Sequence, residues 1–67
     1  MRTSHVSMEQ YRIHFFTHSG EIFGGQHFGA DNDKSAIEVA SKTFRSPWGK
    51  GHEVWHGSRL VHWEEYK

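Results

Sequence analysis

The chain has 67 residues with eight basic and eight acidic side chains, seven histidines and no cysteine. That length holds one domain with a small core, and the missing thiols exclude disulfide staples, thiolate metal sites and cysteine nucleophiles, which fits a reducing cytosol. The balanced charge disfavours a general polyanion binder, and no run of about 18 apolar residues is present to span a membrane.

Residues 1 to 10 are polar and aperiodic and read as a flexible leader, in which Met8 is a second possible start. The domain is expected to occupy residues 11 to 67. Tyr11 to His18 alternates and is rich in aromatic and β-branched side chains, which predicts a strand ended by Ser19-Gly20. Glu21 to Gly29 reads as the returning strand, with Gly24 and Gly25 weakening its middle or marking a bulge. Two registers are open here. A two-residue turn pairs Phe16 with Phe23, whereas a three-residue loop with Gly20 in the left-handed conformation pairs Phe15 with Phe23. A one-residue slip exchanges the two faces.

Asp31-Asn32-Asp33 offers capping oxygens and negative charge to a helix running from Lys34 to Arg45, with Ala36, Ile37, Ala40 and Phe44 on one stripe. Lys42 and Arg45 suit its negative pole, and Ser46-Pro47 stops it. Trp48, in the following loop, reads as a plug over one end of the core. His52 to His56 and Arg59 to Trp63 flank Gly57-Ser58, whose composition predicts a type II′ hairpin turn.

The order β-β-α-β-β predicts an α+β two-layer sandwich, with a four-stranded, mainly antiparallel sheet and one helix across one face. Tyr11, Ile13, Phe15, Val54, Val61 and Trp63 then join Ile37, Ala40 and Phe44 in the core. The helix-free face carries Phe16, Phe23, Trp55 and Leu60, interleaved with Arg12, His14 and His62.

The segments Asp31-Asn32-Asp33-Lys34-Ser35-Ala36-Ile37 and Glu53-Val54-Trp55-His56-Gly57-Ser58-Arg59-Leu60-Val61 resemble those of a group of small alphaproteobacterial proteins of unknown function. In that group an acidic helix start precedes a Val-Glu-Val-Trp, Gly, Arg-Leu-Val hairpin, and the resemblance spans roughly residues 11 to 63. It implies the ββαββ fold and carries over no catalytic or ligand residue. The leader, the loop from Ser46 to Gly51 and the abundance of histidine depart from the pattern.

The remaining chemistry is sparse. Seven histidines invite a metal site, and His14 with His62 would meet on neighbouring strands. However, His52 and His56 are four positions apart on a strand, where that spacing separates side chains by about 13 Å. The histidines therefore read as polar, partly exposed members of a sheet face, and no cofactor is expected. Ser35 and Ser41 read as helix surface, and no Gly-x-Ser-x-Gly elbow is present. Glu64 and Glu65 point to opposite sides of a strand and read as solvated. Neither Gly20, Gly24, Gly25, Gly29 nor Gly49-Lys50-Gly51-His52 matches a nucleotide fingerprint. Arg59 is expected to pair with Glu53 or Glu21 across the sheet.

The expectation is accordingly a non-enzymatic interaction module that forms a homodimer, or meets another protein, through Phe16, Phe23, Trp55 and Leu60 with a rim of Arg12, His14 and His62. A strand edge is the other possible self-contact. Two alternatives use the same residues differently. In one the aromatic face binds single-stranded nucleic acid, which the acidic residues Glu21, Glu53, Glu64 and Glu65 disfavour; in the other the chain is a small inhibitor or decoy protein. The ordinary reading turns one or more of these rings inward through a bulge at Gly24-Gly25.

Overall fold

The computed structural model describes residues 8–44 and 49–66, so the expected role of Trp48 lies outside the described residues, whereas the helix expected to reach Arg45 ends at Thr43 with Phe44 as its C-cap. Strand β1 (Glu9–Phe16) is followed by β2 (Ile22–Ala30), helix α1 (Asp33–Thr43), β3 (Gly51–His56) and β4 (Arg59–Glu65). All neighbours pair antiparallel in the order β2-β1-β3-β4, with the first strand central, and the α+β, ββαββ architecture expected from the sequence is the one formed. β1 begins at Glu9, inside the segment expected to be a leader, because Glu9 and Gln10 continue the ladder opposite Ala30 and Gly29.

The first hairpin takes the longer of the two loops. Thr17 N–H donates to the Glu21 carbonyl at 2.9 Å, Gly20 has φ +88°, and Phe16 pairs with Ile22. The ladder then skips Phe23, so Phe15 faces Gly24; the bulge falls one residue before the glycines. In the second hairpin Gly57 has φ +63° and Ser58 does not share a positive φ, the signature of a type II′ turn.

The last strand corrects the expected core. His56 faces Arg59 and Trp55 faces Leu60, as a two-residue turn requires, but Val54 then faces His62 instead of Val61. Val61 is an extra residue in the ladder, and every later side chain on β4 changes sides. Trp63 leaves the expected core for the helix-free face, where it is 50 % exposed, and His62 moves beneath the helix.

The core comprises Tyr11, Ile13, Val54, Ala30, Ala36 and Ala40, with Phe15, Phe28, Phe44 and Val61 packed against it. Ala36 and Ala40 lie one helical turn apart and are fully buried, so small side chains let α1 sit close on the sheet. Asn32 is the N-cap, its side-chain oxygen accepting from Ser35 N–H at 2.9 Å, and Asp33 supplies negative charge to the first turn. No helix among the described residues is long and apolar enough to cross a membrane.

Candidate functional site

The register places the helix-free face in three rows across the sheet. His27, Arg12, Trp55 and Leu60 form the first, Gly25, His14, Glu53 and Trp63 the second, and Ile22, Phe16, Gly51 and Glu65 the third. Gly51 has no side chain, and the Phe16 ring occupies that space; a Cβ there would lie within 2.5 Å of its Cζ. The ring stacks on Trp63 across this gap, with centroids 5.4 Å apart and planes 9° apart. Phe16 is thereby reduced to 5 % exposure, so a ring expected to make an outside contact is covered from within the chain. Trp63 takes its place at the surface.

Around the stack, Leu60 is 46 % and Ile22 50 % exposed, and Trp55 is half-buried with its indole N–H donating to Glu53 Oε1 at 2.9 Å. Arg12 donates to the Gly57 carbonyl at 2.8 Å, which holds its guanidinium over the second turn. Lys50 lies 4.0 Å from Glu65. The face therefore combines exposed apolar side chains with charges of both signs.

Of the residues expected here, Phe16, Trp55, Leu60, Arg12 and His14 share this face. Phe23 and His62 do not. The bulge turns the Phe23 ring towards Phe15, 6.2 Å away and packed against the helix-side core, while His62 stands opposite Val54. His14 and His62 thus lie on opposite faces and cannot share a ligand. Among the described residues no group of three or more histidines, cysteines or carboxylates is placed to hold a metal ion. The additional residues, Trp63 and Ile22, follow from two bulges that alternation alone does not reveal.

The opposite face holds two polar clusters that fasten α1 to the sheet. At one end Tyr11 donates to Asp33 Oδ1 at 2.8 Å, and Arg59 grips the same carboxylate through Nη1 at 3.0 Å and Nη2 at 3.1 Å. Arg59 thus bonds across to the helix start, not to Glu53 or Glu21 as expected. These bonds, Arg59 first and Tyr11 second, hold the Asp33 carboxyl below the usual aspartate range. Burial, then the bond to Asp33, raises the Tyr11 phenol above its ordinary value. The His56 ring packs tilted against Tyr11, with centroids 4.7 Å apart, and has Nε2 3.0 Å from Glu9 and Nδ1 3.4 Å from Arg59. The tautomer with hydrogen on Nε2 satisfies both contacts.

At the other end His52 is fully buried, correcting its expected place as a partly exposed sheet residue, and its Nδ1 meets the Tyr66 hydroxyl at 2.6 Å. Glu64 accepts from Ser41 Oγ at 3.0 Å and from His62 Nε2 at 3.4 Å, and its Oε1 is 3.8 Å from His52 Nε2. Burial alone would push the Glu64 carboxyl up, but those hydrogen bonds and the neighbouring imidazoles bring it below its ordinary value. Glu64 is therefore not merely solvated, and Ser41 is not free helix surface. Both clusters join elements distant in sequence, and His52 is shielded from water, which gives them a structural role.

No known family, curated protein or solved structure matches the chain.

Proposed function

We propose that this domain is a small protein-interaction module whose helix-free sheet face binds a second copy of itself. The reading rests on one observation: Ile22, Leu60 and Trp63 are about half exposed on the same face, around the covered Phe16 and the half-buried Trp55. Contiguous apolar surface with an aromatic centre and a polar rim is the composition of a protein contact. Burying the exposed halves of these side chains removes on the order of 300 Å² of apolar surface per chain, a gross gain of about 7 kcal/mol at about 25 cal/mol per Å². Association costs of about 4–15 kcal/mol set against the two chains' gains leave a reversible dimer. A net charge of zero adds no repulsion between copies. A bacterial cytosol belongs to the same reading, as a compartment with which a cysteine-free chain is compatible.

Sedimentation of the Leu60→Ser, Trp63→Ser double variant tests the proposal, with far-UV circular dichroism as the control for folding. The expected result is a folded chain that associates at least about tenfold more weakly than the parent chain. A folded double variant with the parent's mass refutes the assignment. If the parent instead binds a single-stranded oligonucleotide with a steep salt dependence that the same substitutions abolish, the face serves nucleic acid.

A further inference from the structure

The two edges of the sheet are unlike. β4 carries Arg59, Glu64 and Glu65 and is broken by the Val61 bulge, and such charges and irregularities are what keep an edge from pairing with another chain. β2 ends the sheet on the other side, runs for nine residues from Ile22 to Ala30, and contains no Lys, Arg, Asp, Glu or Pro. Its only irregularity is at Phe23, leaving Gly24 to Ala30 in unbroken register with β1. Most of its residues are exposed.

We propose that this edge carries a second, independent contact between copies, in which two β2 strands pair antiparallel about a two-fold axis through Gln26. Two four-stranded sheets then join into one of eight. The sequence of β2 favours this register. With Gln26 opposite Gln26 of the second copy, Gly24 faces Phe28 and Gly25 faces His27, all within the unbroken segment. Phe28 and His27 each meet a glycine, and the two central amides can bond to one another. Centring on His27 instead sets two imidazoles against each other, opposes Phe28 to Gln26, and leaves Ile22 and Phe23 without partners. A two-fold through a residue is isologous, so this contact taken by itself joins two copies and no more. A charge-free strand also meets itself without like-charge opposition.

This contact does not depend on the helix-free face, and the test keeps the two apart. The chain has no cysteine, so a single introduced thiol reports one position. At the axis of an antiparallel pair the two Cα atoms are about 4.5–5.5 Å apart, within reach of a disulfide. In the Leu60→Ser, Trp63→Ser background, Gln26→Cys should oxidise to a covalent dimer at least about tenfold faster than Glu38→Cys, on the exposed side of α1. Gln26→Lys in that background should weaken association by about tenfold or more while leaving the circular dichroism spectrum unchanged. Equal oxidation rates at Gln26 and Glu38, or a folded Gln26→Lys chain that associates as before, overturn the edge pairing. Either result leaves the aromatic-face reading standing on its own measurement.

Discussion

Arg59, the first residue after the second hairpin turn, holds both carboxylate oxygens of Asp33, the first residue of the helix, at 3.0 and 3.1 Å. This bond ties an edge strand to the start of α1 across 26 positions of sequence, and Tyr11 on the central strand donates to the same carboxylate. Because the folded chain holds the Asp33 carboxyl below its free value, its contribution is complete above the ordinary aspartate range near pH 3.9 and is lost as pH falls through the folded value. Asp33→Asn should lower the melting temperature at pH 7, and the gap from the parent should narrow towards pH 2. A gap of equal size at both pH values would contradict the assignment.

The bond between Ser41 and Glu64 is the corresponding tie at the other end of the helix. Ser41→Ala should cost about 1 kcal/mol in urea unfolding, since a hydrogen bond to a partly buried carboxylate is lost. The folded Glu64 carboxyl is also lowered, so this stabilisation is present at neutral pH and disappears on acidification. Ser41→Ala and Glu64→Gln should each narrow the stability difference between pH 7 and pH 3. An unchanged acid limb in both would show that the contact does not carry it.

The stack of Phe16 on Trp63 requires a residue without a side chain at position 51. A Cβ at Gly51 collides with the Glu64 carbonyl and the Phe16 ring, whereas one at Gly24 finds Phe15 Cδ2 at 4.0 Å, an ordinary contact. Gly51→Ala should therefore destabilise the domain by about 3 kcal/mol or unfold it, because overpacking against backbone cannot be relieved by a rotamer. Gly24→Ala should fall within about 0.5 kcal/mol of the parent. Thermal melts of the two variants make the comparison, and equal losses would argue against the stack.

The element order was legible because it depends on local signals. Alternation in Tyr11 to Phe16, the capping oxygens of Asp31-Asn32-Asp33, the Ala36 and Ala40 stripe and the Gly57-Ser58 turn each report on a few neighbouring residues, and each appears in the fold, with Asn32 as the cap. The composition of the aromatic face was legible only in part. Phe16, Trp55, Leu60, Arg12 and His14 follow the expected alternation, whereas Phe23 is itself the bulged residue and His62 and Trp63 lie beyond the second bulge on the side opposite to that expected. A bulge adds one residue to one strand only, so it is a property of a pair of strands and leaves little mark on either alone.

By itself, then, the sequence determined a cysteine-free ββαββ domain with more aromatic side chains than its one helix covers, because propensity, capping and turn chemistry act over a few residues. The tertiary structure decided which rings are covered and which charges meet. Strand order, the skipped residues Phe23 and Val61, and the reach of Arg59 to Asp33 depend on groups brought together only when the chain closes.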